Sequence, residues 1–139
     1  MYKKILVAVD THETTIEVIK AARALANANQ GELHFLHVLE LPLAVYGEWP
    51  SNFSVDEYKK LTAARIEESL IAAGESVAEF DLIKGHPVQS TIEFAKKYSP
   101  DLIVVGSHSK KGLERLLGST ANGIIHQAKC DVLAVRMSE

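Results

Sequence analysis

Short, wholly apolar runs alternate along this chain with longer stretches whose apolar residues recur every three or four positions. Ile5-Leu6-Val7-Ala8-Val9 and Leu102-Ile103-Val104-Val105 contain no polar residue. Such runs belong to strands covered on both faces, near the middle of a parallel sheet. Strands are predicted over residues 5–9, 33–39, 77–83, 102–106 and 132–136. The third differs: Val77, Glu79, Asp81 and Ile83 alternate with Ala78, Phe80 and Leu82, which suits an edge strand with one partly solvated face. Between the strands, Val18, Ala22, Leu25 and Ala26 share one helical face, and Ala63, Ile66, Leu70 and Ala73 share another that stops at Gly74. Val88, Ile92 and Ala95 line a shorter helix, opened by His86-Pro87 and closed before Pro100. Strict alternation of strand and helix predicts an α/β fold, a doubly wound parallel sheet with right-handed crossovers.

The one long irregular stretch covers residues 40–54, with Pro42, Gly47, Trp49, Pro50 and Phe53. Its aromatics could form a lid or partner surface, or the loop could pack on its own side chains. No linker, repeat or low-complexity tract divides the 139 residues, so 1–139 is expected to be one domain. The net charge of −3 with no basic stripe argues against a nucleic-acid partner. No apolar run reaches bilayer length, so no membrane span is expected. Met1-Tyr2-Lys3-Lys4 before the first apolar run imitates a signal peptide, but Asp10 stops the run and no small-residue cleavage site follows. Cys130 is the only cysteine, which excludes an intrachain disulfide and fits a reducing cytoplasm.

Candidate chemistry concentrates after the fourth strand. There Gly106-Ser107-His108-Ser109-Lys110-Lys111-Gly112 follows a buried run, and Gly118-Ser119-Thr120 precedes a helical pattern of Ala121, Ile124, Ile125 and Ala128. A glycine and hydroxyl loop at a strand's carboxyl end, beside a helix N-terminus with free N–H groups, can cradle a phosphate. The plainer alternative is a turn and a helix cap. Asp10 ends the first strand and is followed by Thr11. Its carboxylate could meet a ribose hydroxyl, hold Mg²⁺ through water, or cap a helix beginning near Glu13. Six histidines do not make a metal site: His34 and His37 are three apart on a strand and point to opposite faces, and the others fall in separate segments. His108, inside the glycine loop, contacts a phosphate or faces water. Gly-x-Ser-x-Gly, the lysine-bearing phosphate loop and Gly-x-Gly-x-x-Gly are all absent. The third strand ends in Lys84-Gly85, without the acids that a phosphorylatable receiver domain needs. A binding module is expected, and no enzyme.

These pieces in this order resemble the universal stress protein family across nearly the whole chain. The resemblance rests on Lys4 to Asp10, His37-Val38, Gly85-His86-Pro87, Asp101 to His108, Leu117 to Asn122, and Cys130 to Arg136. It implies a Rossmann-like sheet of five parallel strands in the order 3-2-1-4-5 with helices on both faces, and a homodimer. It also implies that the chain binds ATP, with or without Mg²⁺, as a regulatory or protective module. On that reading Ala8, Val9, Asp10 and Thr11 lie along the nucleotide, Asp10 at the ribose, and Val38 lines the adenine pocket. Gly106, Ser107, His108, Ser109, Gly118, Ser119 and Thr120 surround the phosphates. The family motif reads Gly-x-x-Gly, nine residues, then Gly-Ser or Gly-Thr. Here Ser109 replaces the second glycine and the spacing to Gly118 is one residue short, with Gly112 a source of compensating flexibility. Members that lack the motif do without nucleotide and act through protein partners, which is the alternative; slow nucleotide hydrolysis is a third reading. The homodimer is expected to pair Val132, Leu133, Ala134 and Val135, an apolar edge that needs covering.

Overall fold

Five parallel strands order as β3-β2-β1-β4-β5. They are β1 (Lys4–Ala8), β2 (Glu32–Leu39), β3 (Phe80–Lys84), β4 (Leu102–Ser107) and β5 (Asp131–Arg136). The computed structural model describes residues 1–76, 80–107 and 118–137. The two wholly apolar runs become the neighbouring strands β1 and β4, with Ile5 opposite Leu102 and Val7 opposite Val104. The alternating third run is an edge strand; its predicted start at 77–79 lies outside the described residues.

Strand alternation sorts the apolar residues into two cores. Ile5, Val7, Phe35 and Val104 point to the face covered by α1 (Thr15–Asn29) and α3 (Val55–Ala72). Leu6, Leu36, Ile103 and Val105 point to the face covered by α4 (Pro87–Tyr98) and α5 (Ser119–Gln127). Gly123 lets those last two helices touch closely, since a Cβ there would stand 2.7 Å from Val88 Cγ2. Helix α3 stops where its glycine predicts. Gly74 takes φ +86°, its N–H reaches Ile71 O, and Glu75 N–H reaches Leu70 O. These two bonds satisfy carbonyls that the last turn would leave orphaned. The Glu75 side chain, only 7% exposed, then receives a two-pronged bond from Arg23 on α1.

The stretch after β2 corrects an expectation. It is not irregular throughout, because Pro42–Tyr46 form a short helix, α2. Pro42 occupies the first turn, where its fixed φ suits a helix and its missing N–H costs nothing, and Gly47 closes it at φ +75°. Beyond it, Trp49 lies 5.2 Å from Phe53, and Phe53 lies 5.6 Å from Tyr58, ring centroid to ring centroid. The aromatics therefore pack on one another and on the start of α3.

Candidate functional site

Where β1 and β4 run side by side, their following helices leave toward opposite faces of the sheet. Such a reversal opens a crevice at the carboxyl ends of the strands. A cavity of about 220 Å³ lies there, floored by Leu36 and Val105 and walled by Pro87 and Thr91 of α4. Ala8, Val9, Asp10, Val38, Gly106 and Thr120, all singled out from the sequence, line it together. Residues 10, 38, 106 and 120 come from four separate segments, and the parallel topology gathers them at one edge.

Each is held in place by local physics. Asp10 Oδ1 accepts from His12 N–H at 2.7 Å, and Asp10 N–H donates to the buried Thr15 Oγ1 at 3.1 Å. The expected helix cap by Asp10 is thereby corrected. Helix α1 begins at Thr15, two residues later than predicted, with Thr14 in the cap position. The entry is tightened by bonds from Thr15 N–H to His12 O and Ile16 N–H to Glu13 O, so the amide within reach of Asp10 is that of His12. Gly106 is glycine for packing on the far face: a Cβ would stand 2.4 Å from Met137 Sδ and 3.1 Å from Val18 Cγ2. Its backbone borders the cavity. Gly118 caps α5 with φ −59° and ψ 152°, a conformation open to any residue. Its conformation therefore does not demand glycine. Among the described residues no side chain caps α5, and the helix presents its positive end beside Thr120 at the cavity wall.

Other expected residues fall around the cavity rather than in it. Ser119 is the exposed first residue of α5. Ser107 is half-buried, and its carbonyl accepts from Met137 N–H at 3.4 Å. Thr11 lines a second cavity of about 280 Å³ on the α3 side, with Tyr58, Leu61, Thr62 and Arg65. His108, Ser109 and Gly112 lie outside the described residues. His34 and His37 do face opposite ways: His34 stacks on Phe94 of α4, and His37 Nδ1 donates to Val9 O at 2.7 Å. Among the described residues no three metal-ligating side chains converge.

Sequence reasoning passed over His37, Glu40 and Thr91. His37 and Glu40 line both cavities and, with Val38, form the wall between them. Thr91, 2% exposed inside an apolar helical face, lines the first. The signal for Thr91 was available, as a polar residue at a position where the 3.6-residue period demands an apolar one.

The comparisons agree with this architecture. The universal stress protein family model matches residues 1–136. Universal stress protein A homolog 1 of Coxiella burnetii is 39% identical over 142 residues, covering 99% of each chain. A second homolog from that organism is 33% identical, over 98% of this chain and 96% of its own. Among solved structures, the MJ0577 protein of Methanocaldococcus jannaschii superposes with a TM-score of 0.72 at 27% identity, covering 100% of this chain and 99% of that one. A universal stress protein in complex with cAMP gives a TM-score of 0.67 at 25% identity, covering 99% of this chain and 98% of its own. Among the described residues no helix is long and apolar enough to cross a membrane. With its sheet order, a family match over residues 1–136 and a relative 39% identical over nearly its whole length, the chain belongs to the universal stress protein family.

Proposed function

We propose that this chain is an adenine-nucleotide-binding module, regulatory or protective rather than enzymatic, with ATP as its ligand. The observation that carries the reading is the joint lining of one cavity by Asp10, Val38, Gly106 and Thr120 beside the uncapped start of α5. The adenine lies against Val38, and the ribose meets the Asp10 carboxylate. The phosphates extend past Gly106 toward the α5 amides at Ser119 and Thr120, where unpaired N–H groups and the helix dipole favour an anion. Any Mg²⁺ rides on the phosphates with Asp10 as a water-mediated ligand. A relative solved with cAMP supports the class of ligand.

Mass spectrometry of the purified protein under native conditions identifies a co-purified nucleotide, and calorimetric titration with ATP and Mg²⁺ measures the affinity. Ser109→Gly, which restores the second glycine of the family motif, should tighten binding several-fold, about 1 kcal/mol. No heat from either protein at millimolar nucleotide would favour the alternative reading, an apo-type member acting through partners. That alternative rests on the Ser109 departure and the shortened spacing. Turnover of ATP at roughly one per second or faster, abolished by Asp10→Ala, would instead make the protein a hydrolase.

The reading includes a cytoplasmic homodimer paired through β5, an edge strand. Val132 and Val135 pack against the two cores, while Leu133 remains 36% exposed. Leu133→Lys is therefore the substitution that weakens the pair without disturbing the core, and sedimentation at several concentrations reads it. A concentration-independent monomer of the unmodified protein would remove the homodimer from the reading.

A further inference from the structure

The α3-side cavity holds two opposite charges that do not meet. Glu40, at the carboxyl end of β2, and Arg65, on α3, both line its 280 Å³. Among the described residues neither forms an ion pair with the other or with anything else. The rest of the lining mixes apolar Val38, Leu39, Leu61 and the Tyr58 ring with Thr11 and His37. Thr62 takes no part, since its hydroxyl donates to Tyr58 O at 2.8 Å. An unpaired carboxylate and an unpaired guanidinium on one concave, part-apolar surface match a ligand that carries the converse charges together with an apolar group.

We propose that this cavity is a second ligand site, for a free amino acid with an apolar side chain. Its ammonium group meets Glu40, its carboxylate takes the forked N–H groups of Arg65, and its side chain lies against Leu61 and Tyr58. The volume is just below the range of ordinary drug-sized pockets and suits a ligand this small. The site adjoins the proposed nucleotide position across the shared wall of His37, Val38 and Glu40. An ammonium group on Glu40 offsets a negative charge that also borders the first cavity. Amino acid and nucleotide therefore favour each other's binding, by the same factor in both directions.

The test uses L-leucine as probe on the nucleotide-free protein, followed by nuclear magnetic resonance shift perturbation and calorimetry. Saturable binding at millimolar concentration is expected, with shifts centred on residues 58–65. Glu40→Gln and Arg65→Gln should each weaken it about tenfold or more. Both residues are exposed, so the fold should tolerate either change. Isovalerate and isoamylamine, which lack one charge each, should bind as weakly as the matching variant allows. Absence of saturable binding overturns the proposal, and so does binding that neither variant changes. This measurement needs no nucleotide, so it stands or falls apart from the ATP reading. The coupling is read separately, as tighter ATP binding in the presence of L-leucine.

Discussion

The two ends of this sheet are built on opposite terms. At the amino ends of the strands the polar groups are spent on one another. Asp101 Oδ2 accepts from both Lys3 N–H and Lys4 N–H at 2.9 Å, tying β4 to β1. Tyr2 OH donates to Asp131 Oδ2 at 2.8 Å, reaching β5. Lys3 Nζ and Lys4 Nζ cap the last carbonyls near α1 and α4, on Asn29 O and Tyr98 O. At the carboxyl ends, by contrast, the described residues leave the first turn of α5 uncapped and Glu40 and Arg65 without a partner. Two cavities open at that end beside these groups. A cavity of about 360 Å³ at the amino ends of β4 and β5 lies instead between α4 and the end of α5, and neither Asp101 nor Tyr2 lines it. Groups that neutralise each other hold a fold together and have little left for a ligand. Groups held apart by a rigid scaffold keep their hydrogen-bonding capacity for something else.

That contrast makes substitutions at the two ends separable, and the largest effect is expected at the open end. Gly118 has a backbone conformation that valine accepts, so Gly118→Val should fold normally. Its branched side chain takes the space that a phosphate needs, and ATP affinity should fall by about a hundredfold, or roughly 2.7 kcal/mol. Calorimetry with a melting curve on the same sample decides it. Loss of binding together with a large fall in Tm would mean that the glycine serves the fold, and the contrast would fail there.

The amino end should give the reverse result. A Cβ at Gly31, just before β2, would stand 2.3 Å from Tyr2 O and 3.2 Å from Lys3 O. These are backbone atoms that cannot swing aside. Gly31→Ala should therefore lower stability by about 2 kcal/mol, as overpacking does, and leave ATP affinity intact once the protein is folded. A neutral melting curve would show that the amino end yields more readily than its bonds suggest.

How far each end could be read from the sequence follows from the same physics. The central place of β1 and β4 was legible because a strand buried on both faces needs an apolar run, and residues 5–9 and 102–105 supply one; the full strand order came only with the family resemblance. The stop of α3 was legible because glycine at Gly74 has a local geometric meaning. The site was legible only in part. Asp10, Val38, Gly106 and Thr120 lie in motifs, and the topology gathers them. Glu40 and Arg65 carry no motif, and they share a cavity only because α3 crosses the end of β2. The start of α1 was misjudged because Asp10 is a good cap in isolation, whereas its nearest amide belongs to a turn that precedes the helix. The ties at the amino end were invisible for a similar reason. Asp101 is 97 residues from the Lys4 it binds, and no local pattern announces such a pair.

A smaller effect is expected from that tie. The two backbone N–H bonds from Lys4 and Lys3 hold the Asp101 carboxyl below its usual range. A depressed folded value means that the stabilisation is present above the unfolded value and is lost as pH falls through the folded one. Denaturant unfolding between pH 5 and 2 should thus show an acid limb, displaced below the ordinary carboxylate range. Asp101→Asn should be less stable near neutrality and flatter over that limb, with ATP affinity unchanged. An unaltered acid limb in the variant would mean that Asp101 does not hold the amino end.

The smallest effect lies at the alkaline edge, on Tyr98 at the end of α4. Its hydroxyl is pushed up to about 12, first by burial and then by the charge and hydrogen bond of Glu32. Lys4 Nζ lies 4.4 Å from the ring centroid, yet its cationic head donates to the Tyr98 carbonyl. A raised folded value keeps its contribution intact below the unfolded value near 10 and loses it as pH rises through the folded one. Ultraviolet titration of tyrosinate, with Tyr98→Phe as the difference standard, should resolve one ring with a midpoint near 12. Glu32→Gln should lower that midpoint only in part, because burial is the leading cause and the substitution leaves the ring where it is. If Glu32→Gln returned the midpoint all the way to 10, charge rather than burial would govern this corner, and the amino end would be held by electrostatics that salt could loosen.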